Sequence, residues 1–162
     1  MAVEIERKFL VSDDAWRAAA VRRTYIRQAY LISSAGASLS VRVSVAEGAP
    51  TIAQLNLKIG GLEVRRLEFE YAVPLADAEA MMAAAVGRVL EKTRHEVPGD
   101  GVTWEIDEFH GDDTGLIVAE VELTDEGQRF ARPDWLAEEV SDDPRYYNVS
   151  LAAHPYSEWG GR

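Results

Sequence analysis

The side chains able to do chemistry begin at the fourth residue. In Glu4-Ile5-Glu6-Arg7-Lys8-Phe9, two carboxylates and an ammonium stand at every second position, the period at which a β-strand shows its side chains to one face. Val3, Ile5 and Phe9 take the opposite face and can pack. Later stretches repeat the device. Arg42 alternates with Val41 and Val43, Lys58 with Leu57 and Ile59, and Arg66, Glu68 and Glu70 with Leu67, Phe69 and Tyr71. Lys92 and Arg94, Glu105 and Asp107, and Glu120 and Glu122 follow at the same spacing. A sheet curled so that these faces point inward encloses a tunnel lined by both cations and carboxylates.

Charges of either sign are costly to bury unless paired or ligand-bound, so such an interior asks for a ligand. A polyanion with a divalent metal satisfies both halves. Arginine forks and lysine ammonium groups suit phosphate oxygens, and hard carboxylates suit Mg²⁺ or Mn²⁺. Triphosphate is the ligand class this inventory favours. An internal salt-bridge network without substrate, or the solvated faces of an open sandwich, would show the same alternation.

Composition narrows the classes. With 162 residues, 47% of them apolar and 28% charged, the chain is expected to form one domain with a real core, not a disordered segment. A formal charge of -11 argues against general nucleic-acid binding, which needs a basic surface. There is no cysteine, which removes disulfides and thiol chemistry and fits a reducing compartment. No basic-then-apolar leader opens the chain, and no apolar run approaches the ~18 residues of a membrane span. A cytoplasmic protein, monomer or homodimer, with no membrane partner is the expectation. His95, His110 and His154 are scattered and are expected in loops or at the surface, not as metal ligands.

The elements that must position the charged faces follow from period and punctuation. Ser12 is expected to cap a short helix through Asp13–Arg17, anchored by Trp16. Strands are predicted at Glu4–Val11, Arg22–Ile32, Leu39–Val45, Thr51–Ile59, Leu62–Val73, Val89–Val97, Val102–Phe109 and Leu116–Leu123. Pro74 opens a helix over Leu75–Val86, with Met81 and Met82 in the core and Gly87 closing it. Thr124–Phe130 and Trp135–Glu139 read as short helical pieces, and Pro144 starts a last helix to about Ala153, with a frayed Gly160-Gly161-Arg162 tail. Eight strands with few helices predict a mainly β fold, a closed eight-stranded antiparallel β-barrel with short peripheral helices.

The set Glu4-x-Glu6-x-Lys8, Arg42, Lys58, Arg66-x-Glu68-x-Glu70, Lys92-x-Arg94, Trp104-Glu105-x-Asp107 and Glu120-x-Glu122 resembles the CYTH family, the triphosphate tunnel metalloenzymes. The likeness runs from Glu4 to about Leu151 and includes Glu139-Val140-Ser141 and Tyr146-Tyr147-Asn148. It implies a tunnel that cleaves triphosphate compounds with Mg²⁺ or Mn²⁺. Lys8, Arg42, Lys58, Arg66, Lys92 and Arg94 would hold the triphosphate, and Glu4, Glu6, Glu120 and Glu122 the metal. Glu68, Glu70, Glu105 and Asp107 would orient the cations or add metal ligands. Water would attack the terminal phosphorus of a linear triphosphate and release phosphate and pyrophosphate, with no protein nucleophile. Lys8 and Lys58 are the candidates for orienting that water or screening the γ-phosphate, and Tyr30 for gating the tunnel.

The same fold is associated with inorganic, nucleoside and thiamine triphosphatase and with class IV-like adenylate cyclase activity, and fold alone does not choose. Trp16, Trp104, Trp135 and Trp159 are better explained as packing than as a base-stacking platform. Inorganic tripolyphosphate is therefore the first expectation, and a non-catalytic polyphosphate-binding module remains an alternative. Ser40 departs from the pattern, because many members have arginine two residues before the one matched by Arg42. The contact is either missing or supplied by Arg65, Arg27 or another group.

Overall fold

Period-two alternation builds strands wherever the partner edges exist. The computed structural model describes residues 2–85 and 87–160 and among them contains β1 (Val3–Val11), β2 (Arg22–Ser33), β3 (Ala37–Ala46), β4 (Ile52–Ile59) and β5 (Arg65–Ala72), then β6 (Leu90–Pro98), β7 (Thr103–Phe109), β8 (Ile117–Glu122) and β9 (Leu136–Glu139). The spatial order is β5-β4-β3-β2-β6-β7-β8-β1-β9, and β5 also pairs with β1. That extra pairing closes the first eight strands into an antiparallel barrel, as the alternation and the strand count predict.

Closure depends on β1 serving three partners. One edge runs along β8, with Glu6 opposite Glu122 and Lys8 opposite Glu120. The other edge pairs with β5 through Val3 to Ile5 and with β9 through Phe9 and Val11. The Trp135–Glu139 segment, expected as helix, is thus largely strand. Beyond β5 the backbone of β1 would be left without partners, and unpaired backbone groups are costly to bury. Tertiary pairing overrides the local propensity.

Two other local expectations change. Thr124–Phe130 forms turns, because Gln128 accepts from the backbone N–H and hydroxyl of Thr124 and Asp125 accepts from Gly127 N–H; such side-chain bonds compete with a helix. Ser12 does not cap α1 (Trp16–Ala19); its hydroxyl turns to the Asp134 carbonyl, and Asp13 accepts from Ala15 N–H instead.

The barrel reverses the usual distribution of polarity, with ionic side chains inside and apolar ones outside, buried by the periphery. Ile5, Phe9, Trp104, Ile106, Ala119 and Val121 pack with Trp16 and Trp135. Opposite them, α2 (Leu75–Ala84) lays Ala78 and Met82 on Ala29, Val41, Val43 and Ala53. A third cluster is the exception: Leu90, Phe109 and Val118 share the inner faces of Gln28, Lys92 and Asp107 and pack, with Leu116, against Leu151 and Trp159. The last helix breaks in two. A 3₁₀ turn at Pro144–Tyr146, with Asp143 accepting from Arg145 N–H, precedes α3 (Asn148–Ala153).

Val86, the expected end of α2, and the Gly161-Arg162 tail lie outside the described residues. No helix among the described residues is long and apolar enough to cross a membrane. His95 is not a surface residue. It points outward from β6 but is only 5% exposed, its ring 4.8 Å from that of Trp16 and its Nε2 3.1 Å from Glu108.

Candidate functional site

The inner faces meet around a cavity of about 290 Å³. Its walls carry the cations Lys8, Arg42, Lys58, Arg66 and Arg94 and the carboxylates Glu4, Glu6, Glu68, Glu70, Glu105, Glu120 and Glu122. Strand register decides which of these face each other. Glu4 lies opposite Arg66, Lys58 opposite Glu68 and Arg94 opposite Asp107. Lys8 and Glu105 both lie opposite Glu120, on its two sides.

The charges form two linked groups. In one, Lys58 Nζ stands 3.2 Å from Glu4 and 3.6 Å from Glu68, and Arg66 reaches Glu4 only at 3.6 Å. Arg42 pairs with Glu70. Arg66 keeps a buried Nε–H with no acceptor, an unmet donor of the kind an anionic ligand would satisfy.

In the other group, Lys8 Nζ donates to Glu6 at 3.0 Å and to Glu120. Arg94 forks Asp107 through Nε at 2.8 Å and Nη2 at 2.9 Å, and Nη2 also reaches Glu120 at 2.9 Å.

Three carboxylates converge. Glu6, Glu105 and Glu120 can each offer an oxygen within 4.8 Å of the others. Burial, then repulsion from Glu120, pushes the Glu6 carboxyl above its ordinary value. Burial pushes Glu105 up to about 7, against the pull of Arg94 and with Glu120 and Asp107 adding to it. Burial would also raise Glu120, but Lys8, Arg94 and Lys92 outweigh it and hold that carboxyl well below the usual range. Burial opposes the charge on Lys8, yet Glu120 and Glu6 keep it firmly protonated. Hard oxygen donors crowded together, one firmly ionised and two held back from ionising, fit a divalent cation such as Mg²⁺ or Mn²⁺, whose charge would relieve the repulsion.

The expected site residues are thus distributed unevenly. Of the four carboxylates expected to hold metal, Glu6 and Glu120 stand in the cluster with Glu105; Glu4 instead faces Lys58 and Arg66. Glu122 lines the cavity near the other carboxylates. Lys92, expected on phosphate, does not line the cavity. It is 1% exposed and bound to Asp107 at 2.7 Å. Its cross-strand neighbours Ile26 and Phe109 make the barrel interior apolar at that level.

Tyr30 lines the cavity, and burial pushes its phenol up. Neither substitute for the missing arginine serves. Arg65 is exposed on the outer face of β5, and Arg27 binds Glu79 of α2. At Ser40 there is instead a neutral relay, in which Gln28 donates to Ser40 at 2.9 Å and Asn148 donates to Gln28 at 3.0 Å.

Three groups escape a reading of charges alone. Gln28 and Asn56 share inner faces with Tyr30 and Lys58, so the alternation that finds those residues also reaches them. Tyr147 has no such signal, since its approach to the cavity depends on the fold-back of the segment before α3.

Comparisons with known proteins agree with this geometry. Residues 2–156 match the model of the CYTH domain. The chain is 39% identical over 160 residues to an inorganic triphosphatase of Acetivibrio thermocellus, covering 98% of this chain and 99% of that one. It is 36% identical over 153 residues to an inorganic triphosphatase of Nitrosomonas europaea, covering 92% and 96%. The crystal structure of the inorganic triphosphatase NE1496 superposes with a TM-score of 0.65 at 32% identity, covering 94% of this chain and 95% of that one. With a closed barrel, an ionic interior and a match along nearly its whole length, the chain belongs to the CYTH domain family.

Proposed function

We propose that this chain hydrolyses inorganic triphosphate to phosphate and pyrophosphate with Mg²⁺ or Mn²⁺ held at Glu6, Glu105 and Glu120. The observation that carries the proposal is the cavity itself. At about 290 Å³ it lies at the lower edge of ordinary small-molecule pockets, which start near ~300 Å³, and it is walled almost wholly by polar groups. This favours a compact polyanion over one bearing a base or a thiamine ring. The four tryptophans are buried in packing and none lines the cavity. The relatives named inorganic triphosphatases support the same substrate.

Carboxylates outnumber cations by two around the cavity, so a polyanion alone would meet net repulsion. This supports metal dependence. A bound divalent ion would neutralise phosphate oxygens and activate water. The chain's own residues do the rest. Arg42, Lys58 and Arg66 bind and orient the phosphates. Lys8 and Arg94, fixed by Glu120, face the charge that builds as water adds to the terminal phosphorus and the bridging P–O bond breaks, its electrons leaving with pyrophosphate. Lys58 also orients the attacking water. The cysteine-free composition fits a cytoplasmic setting.

The test offers tripolyphosphate, ATP and thiamine triphosphate with each metal and quantifies every product. Equal phosphate and pyrophosphate from tripolyphosphate, abolished by chelation, is the expected outcome. Cyclic AMP from ATP, or no release from tripolyphosphate with either metal, would overturn it. A folded Lys58→Ala protein working at the wild-type rate would remove Lys58 from the mechanism.

A further inference from the structure

The segment before α3 brings an aromatic ring to the cavity wall, and two of the cavity's cations rest on it. The ring centroid of Tyr147 lies 4.7 Å from Lys8 Nζ and 5.2 Å from Arg66 Cζ. Tyr147 is 3% exposed, and its hydroxyl donates to the carbonyl of Ser141 at 2.9 Å. Ser141 is itself locked to the first strand, its Oγ accepting from Lys8 N–H at 2.9 Å, and Val140 N–H reaches the Lys8 carbonyl at 2.8 Å. The ring is therefore held against β1 at both ends of a short loop.

We infer that Tyr147 is a positioning residue for phosphate, its π face holding the Lys8 ammonium and the Arg66 guanidinium toward the cavity. This inference rests on the triphosphate reading of the site. An aromatic face carries negative quadrupole charge and attracts cations, more strongly when water is excluded. Carboxylates compete for the same two groups, Glu6 and Glu120 for Lys8 and Glu4 for Arg66. Without the ring, both cations would settle further onto those carboxylates and be less available to a ligand. The contact to Glu4 is long, at 3.6 Å, and Arg66 Nε is unpaired. The guanidinium is thus oriented by the ring more than by its carboxylate.

The experiment separates ring electronics from ring shape. Phenylalanine and pentafluorophenylalanine are incorporated in place of Tyr147; the two have similar shape, but fluorination reverses the quadrupole. Binding of a methylene-bridged triphosphate analogue, which cannot be hydrolysed, is measured by calorimetry in Mg²⁺, together with thermal stability. The phenylalanine protein should bind within about 3-fold of wild type, and the fluorinated one about 10-fold or more weakly, as expected for two desolvated contacts. Equal affinity of the two variants would assign Tyr147 a purely steric role and overturn the inference. Failure of the wild-type protein to bind the analogue would overturn the triphosphate reading itself, and the inference with it.

Discussion

Arg94 donates through Nη2 to Oε1 of Glu120 at 2.9 Å, reaching from β6 over β7 to β8. The same guanidinium is fixed from behind by Asp107, which also takes Lys92. Lys92 and Asp107 are each 1% exposed. They form the buried foundation on which Arg94 and Glu120 stand, and through Glu120 they also locate Lys8.

Asp107→Asn is expected to weaken the barrel and the site together. It leaves Lys92 buried without a counter-charge and breaks the fork on Arg94. Losing one member of a buried pair costs about 3–5 kcal/mol. Lys92→Met should cost less, because Asp107 keeps Arg94. Denaturant unfolding of both variants gives the comparison, and an unchanged midpoint for Asp107→Asn would refute the foundation role.

Glu105→Gln should bind Mn²⁺ at least about 10-fold more weakly, read from the signal of free ion by electron paramagnetic resonance. Its effect on the metal-free protein should be the opposite. The Glu105 carboxyl is raised from 4.5 to about 7 by burial, so between those values the folded protein holds a proton that the unfolded chain has lost. Stability falls as pH climbs through that window. The Gln variant should lose part of this slope in chelator, and an identical pH profile would show that Glu105 is not strained.

His95 gives the reverse dependence. Burial lowers its pKa from 6.5, against the attraction of Glu108. The folded protein therefore binds fewer protons than the unfolded chain, and the contribution of neutral His95 is complete above pH 6.5 and lost as pH falls through the lowered value. Glu108, held down to about 2 by Arg17 first and burial second in opposition, adds a separate loss below 4.5. Melting curves from pH 8 to 5 should show the wild type losing stability relative to His95→Gln as pH falls, whatever slope Glu105 gives both proteins. An identical pH profile in the variant would place the acid sensitivity elsewhere.

Ser40→Arg tests the neutral relay. Ser40 is 1% exposed, so an arginine there is expected to overpack the wall and displace Gln28, lowering stability by about 1–3 kcal/mol. The double variant Ser40→Arg with Gln28→Ala should recover part of the loss, because the two side chains compete for one space. Additive losses in the double-mutant cycle would mean that they do not.

Much of the site was written in local periodicity. Alternation along each strand is enforced by backbone geometry, so it alone put Glu4, Glu6 and Lys8 on one face and set Arg42, Lys58, Arg66 and Arg94 facing inward. The strand count and the barrel followed from the same period and the turn residues. Which charges meet was decided at longer range. Glu6 and Glu105 join Glu120 because closure of β1 onto β8 and the β7–β8 register bring three strands level; a slip of one residue would reverse every face. Lys92 obeys the same alternation, but its neighbours Ile26 and Phe109 fill the interior beside it. Tyr147 and β9 show the limit most clearly. Both reach β1 from more than a hundred residues away, drawn by its exposed edge and its cations; the family-like patterns at Glu139-Val140-Ser141 and Tyr146-Tyr147-Asn148 mark them, but no local periodicity says that they meet β1.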